Sequence, residues 1–201
     1  MLVEQLITDM HSVGWSARPG FLTHDESERL RQECALAYEN GGFRPAGVGH
    51  GAGLKIREDI RKDQVMWIDP GEQAAERHAY LGAIERIREK LNQRFFLGLF
   101  DYEAHFAIYP EGAYYKAHLD RHVGSSARLV TVILYLNDAW QPGDGGELKI
   151  WTTPQGCDGA FELIEPRMGT LVTFFSGDFW HEVLPTKKPR MSITGWYRAR
   201  D

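Results

Sequence analysis

Cysteine is nearly absent. Only Cys34 and Cys157 occur, far apart and in no CxxC or other metal-ligand spacing. Two distant thiols in a chain of this size are expected to be free, in a reducing compartment. Long apolar runs are missing as well, and no segment approaches the roughly 18 continuous apolar residues of a membrane helix. The opening stretch MLVEQLITDMHSVGW carries acidic residues early and no long apolar core, so it does not read as a signal peptide. Nor is there a basic surplus. Lys and Arg number 23 against 28 Asp and Glu, giving a formal net charge of -5 and a pI near 5.9. That balance argues against a general nucleic-acid binder. Internal repeats and low-complexity tracts are also lacking. The expectation from these absences is a cytoplasmic protein with neither membrane nor nucleic acid as partner.

What is present is ordinary for a globular chain: 201 residues, 43% apolar and 25% charged. This is enough chain for one domain, 1–201, with a substantial core. Val3, Leu6, Ile7 and Met10 recur at helical spacing. Thr23 to Glu26, THDE, is a capping box that predicts a helix running toward Tyr38. GWSARPGFL and IREDIRKDQVMWID read as extended. NGGFRPAGVGHGAG, glycine-rich and without periodicity, reads as a loop. DPGEQAAERHAYLGAIERIREKLNQRFF predicts a long helix with Tyr80, Ile84, Ile87 and Leu91 on its apolar stripe. From Asp101 onward the pattern switches to about eight short strands punctuated by turn signals such as YPEG, QPGDGG and FSGD. The fold class that follows is α+β: a jelly roll, or double-stranded β-helix, in residues 101–201. The mainly helical residues 1–100 support it and carry the glycine-rich loop.

Within YYKAHLDRH, His118 and Asp120 stand at i and i+2 on a strand and so share one face. His181, in FWHEVLP, opens another strand downstream. Two histidines and a carboxylate in this arrangement fit a 2-His-1-carboxylate triad, which binds Fe(II) on one face and leaves positions open. The same residues, taken alone, fit surface or core histidines equally well. Arg190 starts the next strand, and parity puts it on one face with Ser192, Thr194 and Trp196. An inward arginine is costly unless it meets an anion, and its planar fork suits a carboxylate. Parity likewise groups Thr131, Ile133 and Tyr135, so the Tyr135 hydroxyl can join Arg190.

HLD…H…R, VILYLNDAW, GDGGELKIW and HEVLPTKKPRMSITGWY, together with the upstream IREDIRKDQVMWID, resemble the Fe(II)- and 2-oxoglutarate-dependent oxygenases of the prolyl 4-hydroxylase group. The branch in question contains the oxygen-sensing prolyl hydroxylases of animals and their bacterial relatives. The resemblance runs roughly from Phe43 to Arg198. It implies that His118, Asp120 and His181 hold Fe(II), and that Arg190 and Tyr135 bind the C5 carboxylate of 2-oxoglutarate. Ile133, Leu148, Thr194 and Trp196 then line the cosubstrate pocket, while Tyr109, Tyr115 and Arg128 face substrate. It also implies that 44–61 is a finger loop closing over a bound peptide, and that His50 and His122 are not ligands. The implied reaction uses O2 to hydroxylate a prolyl residue of a protein at the 4-position, with succinate and CO2 as coproducts and ascorbate as a candidate stimulant. Elongation factor Tu is the substrate that the bacterial relatives suggest. Two alternatives stay open at this point: the same iron chemistry on a free amino acid or small metabolite, and a noncatalytic jelly-roll binding module.

Overall fold

A computed structural model describes residues 1–49, 55–69, 71, 74–121, 128–153 and 156–200. The first helix, α1 (Leu2–Val13), buries Leu6, Ile7 and Met10 and stops at Gly14, whose φ of 82° lets its N–H reach the Met10 carbonyl. A side chain at Gly14 would also place its Cβ 2.9 Å from the Phe179 ring. Strand β1 (Trp15–Arg18) follows, then α2 (His24–Glu39). The capping box of α2 is formed reciprocally. Thr23 Oγ1 accepts the Glu26 N–H at 3.3 Å, and the Thr23 N–H donates to the Glu26 carboxylate at 2.9 Å. Thr23→Ala is expected to destabilise the protein by about 1 kcal/mol, read as a shift of the urea midpoint with an unchanged slope.

Short strands β2 (Arg44–Pro45), β3 (Gly47–Val48) and β4 (Lys55–Ile56) precede β5 (Gln64–Trp67). Their presence corrects two expectations. The glycine-rich stretch is not wholly irregular, because β2 pairs with β5 and β3 with β4. Backbone pairing over two residues needs no side-chain alternation, so periodicity could not signal it. The stretch IREDIRKDQVMWID is not continuously extended either. The Ile60 N–H donates to the Arg57 carbonyl at 2.8 Å and closes a turn, with the Arg57–Asp59 ion pair beside it. Residues 50–54, including His50, lie outside the described residues.

Helix α3 (His78–Phe95) begins later than its sequence suggests, after a single 3-10 turn at Ala75–Arg77. The Asp69 carboxylate accepts the Gly71 N–H at 2.8 Å, a local turn that competes with helix at the expected start. The buried stripe of Tyr80, Ile84, Ile87 and Leu91 is as read from the sequence.

Eight strands follow: β6 (Leu99–Tyr109), β7 (Tyr115–His118), β8 (Arg128–Tyr135), β9 (Leu148–Trp151), β10 (Phe161–Ile164), β11 (Leu171–Phe175), β12 (His181–Val183) and β13 (Arg190–Ala199). They form the expected jelly roll of two antiparallel sheets. The larger runs β1-β11-β8-β13-β6-β5-β2, and the smaller runs β10-β9-β12-β7. Strand parity then assigns two cores. Val130, Val132, Leu134, Phe106, Ile108, Ile193 and Tyr197 face the helices and pack on Leu6, Leu30, Ile84, Ile87 and Leu91. Ala107, Tyr109, Ile133, Tyr135, Val172 and Phe174 point the other way, toward Leu148, Ile150 and Val183 of the smaller sheet.

Tyrosines lock α3 to the sheet. Tyr197 donates to the Ile84 carbonyl at 2.6 Å, and the Tyr80 and Tyr102 hydroxyls meet at 2.5 Å. Tyr102 lies directly over Gly195, where a Cβ would come within 2.3 Å of its hydroxyl. Only glycine fits there. Among the described residues no helix is long and apolar enough to cross a membrane.

Candidate metal and cosubstrate site

The register of the smaller sheet brings the triad together. His181, at the start of β12, is the cross-strand partner of His118, at the end of β7, and Asp120 follows two residues on. Each imidazole is tethered by Nδ1 to a carbonyl, His118 to Lys116 at 2.8 Å and His181 to Phe179 at 3.1 Å. A carbonyl only accepts, so both Nδ1 atoms donate and both Nε2 atoms carry a lone pair. Those Nε2 atoms face the Asp120 carboxylate at 3.4 Å and 3.5 Å. Three acceptor groups thus converge within 4.8 Å of one another. Such a cluster suits a cation, and its mixed nitrogen and oxygen donors suit Fe(II).

The electrostatics agree. Burial would raise the Asp120 carboxyl, but the charges and hydrogen bonds of His181 and His118 hold it well below its usual range. Burial depresses both imidazoles; at His181 the Asp120 charge outweighs it and the pKa rises, whereas at His118 burial and the neighbouring His181 prevail. Behind the carboxylate, Thr131 donates to Asp120 Oδ2 at 2.8 Å and lies 2.8 Å from Ser176 Oγ. Sequence reasoning missed this support. Only the parity of Thr131 with Ile133 and Tyr135 hinted at it, and nothing marked Ser176.

At the other end, Arg190 is 1% exposed, and its Nε donates to the Gly146 carbonyl at 2.8 Å. Its Nη1 is buried with no partner, and among the described residues no carboxylate pairs with it. Gly146 makes room: at φ 69°, its Cβ would sit 3.1 Å from Arg190 Cδ. The guanidinium lies 4.9 Å and 5.0 Å from the Tyr109 and Tyr135 ring centres. The Tyr135 hydroxyl is also buried without a partner, and burial pushes its pKa up to about 12. A buried cation and a phenol, both with unused donors, fit a carboxylate that the chain itself does not supply.

Between these ends lies a cavity of about 760 Å³. Ile133, Leu148, Thr194 and Trp196 line it together with His118, Asp120, His181 and Arg190, and so do Tyr109, Tyr115 and Arg128. Tyr135 alone of the expected residues is not in the wall; it stands behind it, beside Arg190. Tyr115 stacks on His118 with ring centres 3.6 Å apart and carries the Arg61 guanidinium 4.1 Å from its own ring centre. Arg61 is in turn held by Asp63 at 2.7 Å and 2.5 Å, a pairing that sequence reasoning did not identify. Arg128 is fixed at the cavity edge by Glu103, at 2.7 Å, and by the Trp196 ring, 3.6 Å below its guanidinium. His122 lies outside the described residues.

Fold and site together define a jelly-roll protein with a candidate metal centre, and comparison with known proteins makes this specific. Residues 104–198 match the 2OG-Fe(II) oxygenase superfamily. A prolyl-4-hydroxylase from Pseudomonas putida is similar over 99% of this chain and 100% of its own, at 42% identity and a TM-score of 0.88. A Trichoplax adhaerens prolyl hydroxylase, solved with a hypoxia inducible factor oxygen degradation domain peptide, shares 27% identity over 98% of this chain and 89% of its own, with a TM-score of 0.85. The hypoxia-inducible factor prolyl hydroxylase of Caenorhabditis elegans is 30% identical over 98% of this chain, which spans 28% of that protein's length. The chain belongs to the 2OG-Fe(II) oxygenase superfamily, within its prolyl hydroxylase family. The His118–Asp120–His181 cluster fits the iron that the superfamily's name specifies, which weighs against the noncatalytic alternative.

Proposed function

We propose that this chain hydroxylates a prolyl residue of a protein substrate at the 4-position, with succinate and CO2 as coproducts. The observation that carries the reading is the pairing of a three-ligand cluster with a buried, uncompensated arginine across one cavity. His118, Asp120 and His181 hold Fe(II), and Arg190 with Tyr135 takes the far carboxylate of 2-oxoglutarate. When bound, iron and cosubstrate together supply the activation of O2 that C–H hydroxylation requires. The chain's own residues orient and enclose. Lys116 and Phe179 carbonyls fix the imidazole tautomers, Thr131 aims the carboxylate, and Tyr115 walls one side of His118. Ile133 and Leu148 keep the pocket apolar.

A macromolecular substrate is supported by the wide rim, to which Arg44, Pro45, Gly47 and Val48 of the finger segment contribute alongside Trp67 and Arg128. The relative bound to a degradation-domain peptide shows that the fold can accept one. Resemblance to bacterial prolyl hydroxylases nominates elongation factor Tu. Mass spectrometry of that protein after incubation with the enzyme, Fe(II), 2-oxoglutarate and O2 tests the reading. One added oxygen on a loop proline, absent with His181→Ala, is the expected result. Succinate formation without any added oxygen would reject elongation factor Tu as the substrate.

A further inference from the structure

We propose that His105 sets substrate preference by donating one uncharged hydrogen bond to a peptide carbonyl beside the target proline. The proposal rests on the protein-substrate reading above and names the chemistry by which the cavity tells a peptide from a free amino acid.

His105 stands on β6 in a transverse row with Trp67 of β5 and Thr194 of β13. It is four residues from Tyr109, the partner of Arg190, or roughly 13 Å along the strand. Across the row exposure rises from 5% at His105 to 54% at Trp67, whereas Arg190 is 1% exposed. His105 therefore faces the mouth-side part of the cavity, away from the arginine end. Its ring packs against two mutually touching indoles, with centres 5.0 Å from Trp67 and 5.4 Å from Trp196.

The Nδ1 atom of this ring has no structural use. Nδ1 is buried and has no hydrogen-bond partner among the described residues. The imidazole lies outside the three-residue metal cluster. A phenylalanine would pack against the two indoles without leaving Nδ1 unsatisfied, so a histidine here carries a cost that only a use for its other ring nitrogen, Nε2, offsets. Burial, reinforced by the Arg61 charge, pulls its pKa down to about 3, so the ring is neutral at physiological pH.

A neutral imidazole carries one proton. A buried N–H without an acceptor is the rarer and costlier orphan, which leaves the lone pair on Nδ1 and the proton on Nε2. The ring edge that meets the cavity then presents a donor, and its partner is an acceptor. A carboxylate has a better partner on the same cavity wall, in Arg128 over the Trp196 ring. An uncharged donor beside aromatic rings suits the carbonyl oxygen of an amide.

The test uses enzyme labelled with 15N at histidine and loaded with Zn(II) and 2-oxoglutarate, so that no turnover occurs. N-acetyl-L-proline methylamide and free L-proline are titrated separately. The His105 signals are assigned by their loss in His105→Phe, which keeps an aromatic ring against the two tryptophans. The expected result is an Nε2–H tautomer whose Nε2 resonance moves with the blocked proline and not with free proline. Affinity of His105→Phe for the blocked proline falls about fivefold, the size of one net hydrogen bond. Blocked proline that binds both proteins equally, or leaves His105 Nε2 unmoved, overturns the role of His105 and leaves the protein-substrate reading standing. Free proline binding more tightly than the blocked form overturns that reading, and this proposal with it.

Discussion

Asp120→Ala is expected to leave a folded protein that forms no succinate from 2-oxoglutarate and binds Fe(II) at least about a hundredfold more weakly. The carboxylate supplies the negative charge of the cluster and sits between the two imidazole Nε2 atoms, within 3.5 Å of each. Its loss leaves two neutral nitrogen donors and no anion to offset the metal's charge. The fold should survive, because the two histidines keep their own carbonyl tethers. A second signature separates this from general damage. The pKa of His181 is raised by Asp120 against the depressing effect of burial, so in the metal-free variant it should fall. NMR titration of that imidazole reads the shift directly. Asp120→Ala with wild-type succinate production would overturn the ligand assignment.

Arg190→Met should separate the cosubstrate from the metal. The guanidinium is buried, bonded by Nε to Gly146 and flanked by the Tyr109 and Tyr135 rings, and among the described residues no carboxylate pairs with it, so the free enzyme holds a desolvated cation that an anionic ligand would compensate. Truncating one partner of such a buried pair costs roughly 2–5 kcal/mol, and the KM for 2-oxoglutarate should rise about a hundredfold. Iron affinity should not change, because Arg190 lies outside the metal cluster.

Stability gives an independent check on Arg190. Ligand at a hundred times its Kd stabilises a native protein by about 2.7 kcal/mol, so 2-oxoglutarate should raise the melting temperature of the wild type. Arg190→Met should lose that rise at the same concentration. Its ligand-free form should melt at or above the wild type, since an apolar chain replaces an unpaired buried charge. A marked drop in ligand-free stability would mean instead that the arginine serves the core.

The sheet half of the molecule was legible because its signals are local. Period-2 alternation placed Arg190 with Thr194 and Trp196, and Ile133 with Tyr135, and punctuation by turn residues separated the strands. The helical half was legible where capping and periodicity coincide, as at Thr23 and along Tyr80, Ile84, Ile87 and Leu91. Both failed where backbone geometry acts without side-chain pattern. The two-residue strands β2, β3 and β4 carry no alternation, and the Asp69 turn delays α3 in a stretch otherwise rich in helix formers.

By itself, then, the sequence determined which residues share a strand face, and through the order of its motifs it determined the family to which the chain is similar. Strand parity is a property of consecutive residues, and it needs no partner. Distances across the cavity are another matter, because they depend on register between strands far apart in the chain. Pairing of His181 with His118 closed the candidate metal cluster, and packing of the two sheets set Arg190 across from it with no carboxylate beside it among the described residues. The same packing set His105 in the cavity wall against Trp67 and Trp196, and left its Nδ1 buried with no partner among the described residues. Whether a polar atom is satisfied is decided by every element that packs around it, and so only the tertiary structure could decide it.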